Sequence, residues 1–132
     1  MPVETRIYCE HGLVFHRFSG IVRISDIQTE MKRTLGNPEY HAGMNEIVDL
    51  RDATETEIDF PRLLGHTRQL QTLQEDSGVK KTLILVAGNE LAFGMARMFQ
   101  NIADDDASPL KVHVVTEIEE AKGSLGVADL PL

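Results

Sequence analysis

Val79-Lys80-Lys81-Thr82-Leu83-Ile84-Leu85-Val86-Ala87 is the stretch that decides the fold of this chain. Leu83 to Val86 form a continuous apolar run with no polar alternation. Such a run suits a central strand of a parallel sheet, covered on both faces. Gly88 and Asn89 then lead into Glu90–Ala103, where Leu91, Met95, Met98 and Ile102 recur at helical spacing. Asp104-Asp105-Asp106 and Pro109 break that helix, and Val112-His113-Val114-Val115 reads as the last strand. Thr116 and Glu119 have the spacing of a capping box, predicting a short closing helix with Ile118, Ala121 and Leu125.

The same alternation runs upstream. Ile47-Val48-Asp49-Leu50 reads as a buried strand, followed by a polar loop from Arg51 to Ile58. Asp59 is placed to cap a helix that has Phe60 and Pro61 in its first turn, where a missing N–H costs little. Leu63, Thr67 and Leu70 form its apolar stripe, with Leu64 and Leu73 beside it. Ser25 is the expected N-cap of an earlier helix carrying Ile24, Ile27, Met31 and Leu35, closed by Gly36 and Pro38. Arg6–Cys9 and Leu13–Phe18 read as a hairpin turning at Glu10-His11-Gly12. Strands that alternate with helices need right-handed crossovers. The expectation is an α/β fold: one domain over residues 1–132, a mixed, mainly parallel sheet of about five strands and about four helices, and a flexible tail at 126–132.

Bulk composition narrows the function classes. The chain has 13 Lys+Arg against 21 Asp+Glu, a formal net charge of −8. That disfavours a nucleic-acid partner, whose phosphates need a basic surface. No apolar run approaches the roughly 20 residues that span a bilayer, and no apolar segment follows the N-terminus as in a secretory signal. An integral membrane protein is not expected, and cytoplasmic residence is. Cys9 is the one cysteine, so an intramolecular disulfide is excluded; it reads as a small buried strand residue. His11, His16, His41, His66 and His113 lack metal-ligand spacing, and no nucleophile, phosphate-loop or dinucleotide motif is present. The expectation is a protein without cofactor or catalytic residues.

Five segments together resemble the SpoIIAA-like proteins, relatives of the STAS domain of anti-sigma factor antagonists. They are Gly20-Ile21-Val22, Asn37-Pro38-Glu39-Tyr40, Val48-Asp49-Leu50-Arg51, Phe93-Gly94-Met95-Ala96-Arg97-Met98-Phe99 and Glu119-Glu120-Ala121. The resemblance covers nearly the whole chain through their order and spacing. It implies a mixed sheet packed with helices and a regulatory, protein-binding role. In the antagonists, a serine at the start of the helix after the Val48-Asp49-Leu50 type of strand is phosphorylated to switch partner binding. Here Glu57-Ile58-Asp59-Phe60-Pro61 has no serine.

Two candidate sites follow. An interaction loop would use Asp49, Arg51, Asp52, Thr54, Thr56 and Asp59, at the carboxyl end of a strand where open α/β sheets bind partners and ligands. Its bland alternative is a solvated loop with Asp59 as a helix cap. An apolar pocket would be walled by Phe93, Met95, Met98 and Phe99 and hold an apolar or lipid-like small molecule; its bland alternative is a helix packed on its own sheet. The leading expectation is a non-enzymatic interaction module with a protein partner, and the second is a small-ligand carrier. Self-association stays open.

Overall fold

The computed structural model describes residues 2–132; Met1, the first residue of the expected domain, lies outside the described residues. β1 (Val3–Tyr8), β2 (Leu13–Val22), α1 (Ile24–Leu35), β3 (Asn45–Thr56), α2 (Phe60–Ser77), β4 (Lys81–Val86), α3 (Glu90–Ala103), β5 (Leu110–Val115) and α4 (Ile118–Ser124) follow one another along the chain. The strands form one five-stranded sheet in the order β1-β2-β3-β4-β5. β1 runs antiparallel to β2, and every other pairing is parallel. The expected α/β class, with its mixed and mainly parallel sheet and four helices, is the observed one. No described helix is long and apolar enough to cross a membrane.

Each parallel crossover advances by one strand in the same direction. Right-handed connections of that kind put their helices on one face of the sheet. The core is divided accordingly. On one face Phe18, Leu50, Leu83 and Leu85 pack with Leu63 of α2 and Ala92, Ala96, Phe99 and Ala103 of α3, and Ile27 of α1 joins them. On the other face Phe15, Ile47, Ile84 and Val86 meet Ile118 and Ala121 of α4. The alternation along Leu83-Ile84-Leu85-Val86 is thus an alternation between two cores.

Several boundaries differ from the sequence reading, for physical reasons. β3 does not end at Leu50: residues 51–56 continue as strand, with Thr56 opposite Val22. The expected Arg51–Asp59 loop is therefore mostly sheet, with only Glu57, Ile58 and Asp59 joining it to α2. The register against β2 slips twice, so that Arg17 faces Asp49 but Ser19 faces Asp52, and Gly20 faces Ala53 but Ile21 faces Glu55. Each slip inserts one residue into β3 and resets which face its side chains take. Leu50 and Ala53 consequently share one core despite their odd spacing. Gly20, beside these bulges, has φ of 71°, which a residue with a Cβ rarely adopts.

At the first helix Arg23, not Ser25, is the N-cap, and Gly36 closes it in a right-handed conformation. Thr116 does not cap α4; Glu117 is the N-cap and gives no side-chain hydrogen bond. Cys9 is exposed in a short 3-10 turn, not buried in a strand. The tail expected to be loose is packed: Val127 and Leu130 are buried with Ile84 and Ile118. Deleting buried methyl groups removes transfer energy and leaves a cavity, so Leu130→Ala is expected to cost roughly 2–4 kcal/mol. Urea unfolding followed by circular dichroism checks this; an unchanged midpoint contradicts the packing.

Candidate functional site

The face covered by α1, α2 and α3 holds a charged cluster near the N-terminal ends of β3 and β4. His16 on β2, Glu46 on β3 and Lys81 on β4 point to this face by strand parity. Val14, Glu46 and Leu83 lie side by side in register, so His16 and Lys81 are diagonal neighbours of Glu46. His16 Nε2 lies 2.9 Å from Glu46 Oε1, and Lys81 Nζ lies 2.6 Å from Glu46 Oε2. The other imidazole nitrogen of His16 lies 2.8 Å from Thr5 Oγ1 on β1. Lys81 Nζ also donates to the Tyr40 hydroxyl at 3.1 Å. Four strands are joined by this one chain of contacts.

Burial alone pushes the Glu46 carboxyl pKa up. The hydrogen bond from His16 and the charge of Lys81 outweigh that and hold it at about 2. Burial likewise opposes the charge on Lys81, but the Glu46 carboxylate raises its pKa above the ordinary range. Both groups are thus ionised in the folded chain.

This cluster closes one end of an apolar cavity of about 210 Å³ between the sheet and the helices. Its floor includes Val48, Leu83 and Leu85 of the sheet, and its walls include Met31 of α1, Leu70 of α2 and Phe99 of α3. Leu35 and Leu73 line it while staying 45% and 38% exposed, which sets its rim between α1 and α2. The composition of the helices explains why space remains. The buried stripe of α3 carries three alanines, which let it sit close to the sheet but fill little volume. The buried face of α1 is Glu30 and Thr34, and that of α2 is mixed with His66, Thr67, Gln71 and Gln74.

Most of these polar groups are satisfied. Thr34 Oγ1 donates to the Glu30 carbonyl at 2.9 Å, and Gln74 Nε2 donates to the carbonyls of Ala42 and Val79. His66 differs. Its Nδ1 is buried without a hydrogen-bond partner, and burial holds its pKa below the usual imidazole value.

The structure divides the four residues of the sequence-predicted pocket. Met95 and Phe99 line the cavity, whereas Phe93 and Met98 are 41% and 36% exposed and do not. At 100° per residue the inward stripe of α3 runs through Ala92, Ala96, Phe99 and Ala103, so Phe93 and Met98 fall outside it. The predicted interaction loop is not brought together either. Asp49 is buried on the face opposite the cavity and accepts from Arg51 Nε at 2.9 Å and from Arg17 Nε at 3.2 Å. Burial opposes its ionisation, but the Arg51 hydrogen bonds keep its pKa low. Asp52 and Thr54 are exposed, and Thr56 Oγ1 accepts from Ile58 N. Asp59 is the α2 N-cap, accepting from Arg62 N at 2.9 Å. Of the six, only Asp49 and Arg51 join one another.

His16, Glu46, His66 and Lys81 were missed from sequence. Strand parity was the available signal: His16 shares its face with Phe18, and Glu46 with Val48 and Leu50. His66 lies between Leu63 and Leu70 on the stripe of α2. At Cys9, partial desolvation and the Glu39 carboxylate, 3.4 Å away, push the thiol up and away from the nucleophilic thiolate. Among the described residues no group of three or more His, Cys, Asp or Glu is placed to hold a metal ion. No protein-family model matches the chain, and no curated protein matches it.

Glu46→Gln leaves Lys81 buried without its counter-charge, an effect expected to cost roughly 3–5 kcal/mol at neutral pH. The folded-state pKa of Glu46 lies below the ordinary 4.5, so its stabilisation is present above 4.5 and is lost as pH falls towards about 2. Urea unfolding of both proteins across that range is expected to show the gap narrowing with acid. A gap independent of pH contradicts the ion pair.

Proposed function

We propose that this chain is a non-enzymatic binding protein that takes up one small, mainly apolar molecule between its sheet and helices α1 and α2. The observation that carries this reading is the cavity itself. Protein interiors pack like organic crystals and keep few voids larger than a water molecule. A recess of about 210 Å³ lined almost wholly by apolar side chains departs from that packing. Ala96 lines this space, and a larger side chain there would fill part of it. An apolar recess of this size, with a rim open between two helices, is suited to an occupant.

Size bounds that occupant. A dry cavity of about 150 Å³ accepts benzene, so this one suits roughly eight to ten non-hydrogen atoms. Phospholipids and drug-sized ligands need larger sites, about 300–1,000 Å³. The SpoIIAA-like resemblance fits a non-catalytic role. The segment where the antagonists carry the phosphorylated serine has none here, and Asp59 supplies a carboxylate that caps α2. A protein-interaction surface at residues 51–59 has less behind it, since that segment is largely committed to pairing with β2.

Native mass spectrometry on gently purified protein tests the reading. A noncovalent adduct of roughly 105–160 Da is expected, lost on denaturation and absent from Ala96→Leu. A clean chain mass, together with no thermal shift on adding benzene, overturns it.

A further inference from the structure

The charged end of the cavity is electrically complete. Both oxygens of Glu46 and both ring nitrogens of His16 have partners, and Lys81 reaches Glu46 and Tyr40. Glu30, the other carboxylate on the wall, has Arg33 Nη1 at 3.5 Å. One vacancy remains among the described cavity residues. The His66 ring borders the cavity, the residue is only 5% exposed, and neither ring nitrogen makes a hydrogen bond within the protein. A buried polar group left unmade costs about 1–3 kcal/mol, so a ligand atom that satisfies it gains that much selectivity.

Charge selects among the chemistries that can pair with an imidazole. An ion of either sign entering here would lose its hydration and find no free counter-charge, because Glu46 is paired with Lys81 and Glu30 with Arg33. A neutral ligand escapes both penalties. A hydroxyl both donates and accepts, so it matches either tautomer of a neutral imidazole, whereas a carbonyl matches one.

We propose that the bound molecule is a small neutral alcohol with an apolar body, its hydroxyl hydrogen-bonded to the His66 imidazole. This assignment rests on the small-molecule binding reading and adds the polar group that reading leaves open. His66 acts as the specificity determinant, while the apolar walls set the size limit.

2-Phenylethanol, with roughly nine non-hydrogen atoms, suits the cavity. Ethylbenzene has nearly the same shape without the hydroxyl, and phenylacetate and 2-phenylethylamine carry a charge. Titration calorimetry with the wild-type chain and with His66→Phe, and the imidazole ¹⁵N resonances of the wild-type chain, form the experiment. 2-Phenylethanol is expected to bind about tenfold more weakly to His66→Phe, while ethylbenzene changes by less than about threefold. The His66 ring resonances are expected to move with the alcohol and not with the hydrocarbon, a readout that needs no folded variant. Equal effects of the substitution on both compounds, or ring resonances that respond equally to both, overturn the role of His66 while leaving cavity binding intact. Tighter binding of phenylacetate or 2-phenylethylamine overturns the neutral-ligand assignment. No binding of any of the four removes the cavity reading as well.

Discussion

A carboxylate buried on the central strand of the sheet is the constraint around which the rest is arranged. Glu46 can remain ionised there only because His16 and Lys81 meet it from the two adjacent strands. Those partners fix the lateral register of β2, β3 and β4, since a one-residue slip would carry one of the three to the other face. They also set what lies above them. Apolar side chains packed directly over a charged cluster would strip its remaining hydration, and α1 and α2 instead present Glu30, Thr34, His66 and Gln74 among their buried residues. The space beneath the helices and the charge below it are parts of one arrangement.

The class of fold was legible because long apolar runs and helical periods are local signals. Leu83 to Val86 and the stripe of α3 needed no tertiary information to be assigned as strand and helix. The tail was harder. Val127 and Leu130 lie in a short segment with Gly, Asp and Pro and no period, and only the face of the sheet shared with α4 gives them a partner. β3 was harder still. Its second half is polar and out of phase because two bulges reset its alternation, and a reading based on period two stops where the first bulge begins.

The site was less legible than the fold for a related reason. Met and Phe on a helix attract attention as pocket formers, yet Phe93 and Met98 face outward and alanines line the inner stripe. The residues that distinguish the cavity are polar ones on apolar faces: His16 beside Phe18, Glu46 beside Val48, and His66 between Leu63 and Leu70. Each is ordinary alone. Their convergence depends on the register of three strands and the placement of α2, which no single segment encodes.

β4 separates two compartments with a wall one residue thick. Leu83 and Leu85 face the cavity, while Ile84 and Val86, their immediate neighbours, hold Ile118 and the final turn of the chain at Leu130. The back of the pocket is therefore propped by the C-terminus, through side chains rooted in the same backbone. The proposed ligand site on one side and Val127 and Leu130 on the other thus rest on the same short strand, far apart in sequence and one sheet apart in space.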